Sequence, residues 1–221
     1  MDPDHPPTLR KPAAACLIAA PLALTAADLL QVLGAAPFGW TVVMWIAFVI
    51  FVPAIFALGH IARLRAPTMG VVAAGITVVG AIAGASMQVL FRTAAVLESA
   101  PMSGASQHAV EEALSTHPLL GVTTLVPGIL FPLGLILLAV VLTRHHVGAT
   151  PATILLGLGG VLFPIGHAAG VAVALIGGDL VLLAALSWLA LDIRRRPELW
   201  SPATHPRGEA AMPAAVPIAP A

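Results

Sequence analysis

The chain has 221 residues, of which 59% are hydrophobic and only 9% charged, and its mean hydropathy is +0.99. Soluble domains carry about a quarter charged residues, so a water-soluble fold has too little polar surface to cover this one. Ten basic residues balance ten acidic ones, which leaves no excess charge for a nucleic-acid partner, and the lone Cys16 excludes a disulfide framework.

A helix crosses about 30 Å of hydrocarbon with about 20 apolar residues. After a short proline-bearing tail over residues 1–12, the first such run lies near 13–33. Arg10-Lys11 before it and Thr25-Ala26-Ala27 within it imitate a secretory leader with a small-residue cleavage site. The apolar run continues through Leu29, Leu30, Val32 and Leu33, however, which favours a retained helix. Thr25, Asp28 and Gln31 step by three along its far end. A carboxylate at the hydrocarbon edge is costly unless it is paired or protonated, so Asp28 needs a partner.

The second span is predicted near 39–61 and the third near 68–91. His60, at the inner end of the second beside Arg63 and Arg65, reads as a solvated loop histidine. On the third, Gly80, Gly84, Gln88 and Arg92 step by four along one face. Gly80 and Gly84 form a small-xxx-small patch that lets another helix approach closely, with Gln88 and Arg92 further out. Arg92 is the only basic residue expected at that end, and an Asp28–Arg92 ion pair supported by Gln88 is the expected arrangement. An external loop over 92–118 follows, within which Ser106 to Ser115 has the spacing of a short amphipathic helix.

The fourth span is predicted near 119–142. The forty residues from Ala152 to Leu191 are too many for one crossing and suit two, near 152–168 and 171–191, joined by a turn between Gly166 and Gly170. That turn places His167 at the membrane interface. Asp179, eight residues into the last span, lies about 12 Å below the surface at 1.5 Å per residue. Intramembrane acids are candidate proton carriers or cation ligands. Residues 197–221 form a second Pro/Ala-rich tail.

Arginine and lysine in short loops favour the cytoplasm. With six spans and both termini cytoplasmic, Arg10, Lys11, Arg63, Arg65, Arg144, Arg194, Arg195, Arg196 and Arg207 all fall inside and Arg92 alone outside. The fold class is therefore an all-α polytopic transmembrane helical bundle, multi-pass in the plasma membrane.

Three resemblances accompany this reading. Gly84-Ala85-Ser86 and His167-Ala168-Ala169-Gly170 resemble fragments of the rhomboid intramembrane proteases, whose pattern is Gly-x-Ser-Gly and Ala-His-x-x-Gly; Met87 and Gly166 depart from it. Gly177-Gly178-Asp179 resembles the Gly-x-Gly-Asp motif of intramembrane aspartyl proteases, with Ile176 in place of the first glycine and no second mid-membrane aspartate expected. From Gly157 to Arg196, including the hairpin sequence GGVLFPIGHAAG, the chain is similar to small uncharacterised six-span membrane proteins of actinobacteria, a resemblance that implies no activity.

No catalytic residue, metal site or cofactor follows from the sequence; adjacent His145 and His146 lack a third ligand. The expected partners are the lipid bilayer and a membrane protein or a second copy of the chain. Two functions remain: a non-enzymatic component acting through helix or partner contacts, or a small solute or proton-coupled transporter with an outward-facing vestibule of Asp28, Gln88, Arg92, His167 and Asp179. An intramembrane hydrolase is the remote third.

Overall fold

A computed structural model describes residues 7–99, 104–116 and 126–200. Seven α-helices occur among the described residues, in the order α1 (Pro7–Val32), α2 (Pro37–Arg65), α3 (Pro67–Ser99), α4 (Gly104–Thr116), α5 (Val126–Arg144), α6 (Thr150–Ala169) and α7 (Ala172–Arg195). A 3-10 turn over Pro197–Trp200 closes the described chain. The fold is an all-α helical bundle. Five helices, α1, α2, α3, α6 and α7, are long and apolar enough to cross a membrane, and α5 adds a shorter apolar stretch at Ile129–Arg144. The part of the predicted fourth span before residue 126 lies outside the described residues.

Proline and glycine set the helix boundaries. Pro37 and Pro67 stand at the first positions of α2 and α3, where a missing N–H costs nothing and φ is already helical. Gly170 ends α6 in the left-handed conformation at φ 63°, its N–H bonded to the Gly166 carbonyl. The turn between α6 and α7 therefore falls at Gly170 and Val171. Gly166 serves packing instead, because a Cβ built on it would lie 2.8 Å from Leu175 Cα, and its bare backbone lets α6 rest directly on α7. α3 continues past its predicted end at Phe91 to Ser99 and spans about 50 Å, because hydrocarbon thickness limits a crossing and not the helix that makes it. Arg92 is thus helical, and α4 occupies the stretch read as an amphipathic helix.

The six apolar helices close into a ring. α1 packs on α2, α2 on α3, α3 on α5, α5 on α6, α6 on α7, and α7 returns to α1, while α2 and α5 also touch across the middle. Small residues permit the closest approaches. A Cβ on Gly80 of α3 would strike the Phe131 backbone of α5, and one on Gly134 of α5 would strike Thr77 of α3. Gly84 instead makes room for the Phe48 ring of α2. The centre holds four aromatic rings in series, Phe51, Phe48, Phe131 and Phe163, with Phe131 at 5.1 to 5.5 Å from each of the others. Leu17, Leu24, Ile55, Leu138, Leu156 and Leu182 fill the rest and are fully buried. Outward faces carry exposed Phe56, Ile129, Ile154 and Val173, as lipid contact requires.

The bundle has two chemically distinct ends. Arg65 at the end of α2 donates to the Glu198 carbonyl after α7 at 3.4 Å, and His60 stacks on Trp200 at 5.5 Å, so α2 and α7 finish at the same end. That basic end also carries the last turn of α5 with Arg144 and the Arg194–Arg196 run. His60, expected in a solvated loop, is a half-buried helical residue covered by the Trp200 ring.

Candidate functional site

The opposite end gathers acids. Depth follows from helix position at 1.5 Å of rise per residue. His167 lies about 3 Å from the end of α6, Asp28 about 6 Å from the end of α1, and Asp179 about 10 Å from the start of α7. Because α7 packs against both α1 and α6, these three positions converge.

The geometry within the group is specific. His167 Nε2 lies 3.6 Å from Asp28 Oδ2. His167 Nδ1 is 2.9 Å from the Phe163 carbonyl oxygen one turn back; since a carbonyl only accepts, Nδ1 carries the proton and Nε2 faces the carboxyl. On its other side Asp28 meets Asp179, the two carboxyl groups being close enough to interact. Both aspartates are completely buried, whereas the His167 side chain is 35% exposed. No other described residue donates a hydrogen bond to the four carboxyl oxygens, so the partner within reach of each acid is the other acid. Buried polar groups are satisfied in the great majority of cases, and two buried acids in contact meet that need by sharing a proton or by taking up a cation.

An open cleft of about 340 Å³ leads to this group, lined by Gln31 and Val32 of α1, Gly166, His167 and Gly170 from α6 and its turn, and Ala172 and Leu175 of α7. His167 belongs both to the cleft wall and to the buried cluster, and is therefore the connection between them. Phe163 stacks on the His167 ring at 4.3 Å and leads into the central aromatic series, which fills the bundle on the far side.

Gln88 and Arg92 lie elsewhere. Arg92 Nη2 donates to the Thr41 carbonyl of α2 at 3.3 Å, and its guanidinium sits 5.8 Å from the Trp45 ring centroid. Asp28 contacts His167 and Asp179 in place of the expected Arg92, because α2 stands between α1 and α3 and a helix is about 10 Å wide. Gln88 is buried on α3 with its Oε1 lacking a partner among the described residues. Of the five expected vestibule residues, three form the cluster, Arg92 braces α3 against α2, and Gln88 lies buried on α3.

Asp28, expected at the hydrocarbon edge with Arg92, instead stands beside Asp179, so the two acids form a pair that the sequence does not indicate. Ser86 is exposed, its hydroxyl donating to the Ile82 carbonyl at 3.0 Å on α3, which does not pack on the helix of His167. Among the described residues no three of His, Cys, Asp or Glu form a metal-holding group. No protein-family model, curated protein or solved structure matches this chain.

Proposed function

We propose that the chain is a multi-pass cell-membrane protein, basic end in the cytoplasm, that works as a proton-coupled carrier of a small solute. Two carboxylates in contact and shielded from water repel each other strongly, and the arrangement is stable only with a proton or cation between them. His167, half in the cleft, receives the proton from water; Asp28 passes it on; Asp179 is the deepest acceptor. The central phenylalanines exclude water from the rest of the bundle, so protons cross only by way of these acids. The single observation that carries this reading is the convergence of two fully buried acids, Asp28 and Asp179, that receive no hydrogen bond from another described residue, on His167, which lines an open cleft. A component acting only through partner contacts gives those acids no role.

The test is proton uptake by liposomes containing the purified chain and an internal pH dye. Wild-type protein is expected to acidify the lumen under an inward proton gradient, and Asp179→Asn to be inert while eluting and melting as a folded protein. An Asp179→Asn variant that moves protons as wild type does would contradict the proposal.

The Asp28–Asp179 contact favours one second reading, an intramembrane hydrolase in which paired carboxyls sharing one proton activate water. Cleavage of a transmembrane peptide in the same liposomes, without lumen acidification, would select it.

A further inference from the structure

The acid cluster behind the cleft wall receives no hydrogen bond from any other described residue. Asp28 and Asp179 contribute four oxygens, all buried, whose one means of mutual satisfaction is a shared proton. His167 gives its Nδ1 proton to the Phe163 carbonyl, so in the neutral ring Nε2 adds a fifth acceptor, directed at Asp28 Oδ2 across 3.6 Å. What such a group lacks is a ligand that brings several donors and a positive charge in one small body. A bare metal ion is a poor match, since it needs ligand atoms gathered at about 2.0 to 2.6 Å and no three side chains of suitable type are so gathered among the described residues.

The cleft adds a limit on size and character. Its walls mix one amide, Gln31, with Val32, Ala172 and Leu175, and the bare backbones of Gly166 and Gly170. At about 340 Å³ it lies at the small end of ligand sites. A charged head at the carboxyls and a short alkyl chain along Val32 and Leu175 fit that division.

We propose that Asp28, Asp179 and His167 form a binding site for an ammonium-type cation, ammonium itself or the head of a short primary amine, which enters through the cleft and replaces the single proton shared by the carboxyl pair. The assignment rests on the carrier reading of the same site and names its cargo. No bond between heavy atoms is made or broken; the cation displaces that proton to water through His167.

The experiment is thermal unfolding of the full chain in detergent at one fixed pH, titrated with ammonium, methylammonium or butylammonium chloride, against tetramethylammonium and sodium chloride at equal ionic strength. Primary ammonium salts should stabilise the protein saturably. Tetramethylammonium has the same charge and no N–H, so its apparent dissociation constant should be roughly ten- to hundredfold weaker, the loss expected for missing hydrogen bonds to charged groups. The comparison of salts uses wild-type protein alone and does not depend on any variant folding; Asp28→Asn and Asp179→Asn should then erase the difference. Equal stabilisation by tetramethylammonium or sodium, or no saturable stabilisation by any primary ammonium salt, overturns the assignment. If lumen acidification persists in that case, the cargo is wrong and the proton site stands; if acidification is absent as well, the carrier reading falls with it.

Discussion

Each end of the bundle buries aspartate, and the two ends treat it in opposite ways. At the basic end Asp192 of α7 accepts the Ala149 N–H at 2.6 Å, so it caps the start of α6, whose own preceding residue offers no side-chain cap. Thr143 and Thr153 complete that corner with a hydroxyl pair at 2.8 Å, and Thr153 also bonds the Thr150 carbonyl. The Pro197–Trp200 turn folds across this end with Leu199 buried. At the acid end, Asp28 and Asp179 are buried more completely and have no hydrogen-bond donor of their own among the described residues. The same residue type thus caps a helix where a backbone donor meets it, and at the acid end meets only another acid and His167. Burial alone does not separate the two roles; donor supply does.

That contrast is open to direct attack. The largest effect is expected at the acid end: Asp28→Asn and Asp179→Asn should each abolish lumen acidification while the melting temperature holds or rises, since one source of carboxylate repulsion is gone. A matched loss of melting temperature would mean that these acids are structural after all. Asp192→Ala should do the reverse, lowering stability by about 1–3 kcal/mol through an uncapped buried N–H, with proton uptake per folded molecule unchanged in the same liposomes. Trp200→Ala removes a ring from His60 and should cost about 1 kcal/mol, read as a lower melting temperature without loss of uptake. The smallest change belongs to Arg92→Ala, at most about 1 kcal/mol for the contact with Trp45. The charge swap Asp28→Arg with Arg92→Asp should give no mutual rescue; recovery of expression in the double variant would restore the pairing expected from sequence.

Much of the architecture is legible in residue order. Apolar runs locate the crossing helices, and glycine near 166–170 locates the final hairpin, because lipid forces backbone polar groups to pair within helices and allows a break only at flexible points. The roles of Gly166 and Gly170 are not separable in that way, since a left-handed turn and a close helix contact both require a missing side chain. The site is half legible. Asp179, His167 and Asp28 stand out as polar groups in apolar runs, but which helices become neighbours is a property of ring closure. Arg92 suggests itself as the partner of Asp28 because both belong to one end; α2 lies between them. The closing contact of α7 on α1, which joins Asp28 to Asp179, leaves no mark in local spacing. Comparable depth of the two acids below the same end is the one signal that could have joined them. Asp192 has nothing in its local sequence to mark it, and its capping role depends on the approach of a loop 43 positions away.

On the carrier reading, Asp28 and Asp179 hold one proton between them, behind the His167 wall of the cleft. Infrared difference spectroscopy of the purified chain at neutral pH tests it most directly. The wild type should show the carbonyl stretch of a protonated carboxyl, lost in both Asp28→Asn and Asp179→Asn and kept in Asp192→Asn. A wild-type spectrum with only ionised carboxylate bands, or a protonated band that survives both substitutions at the acid end, would contradict it.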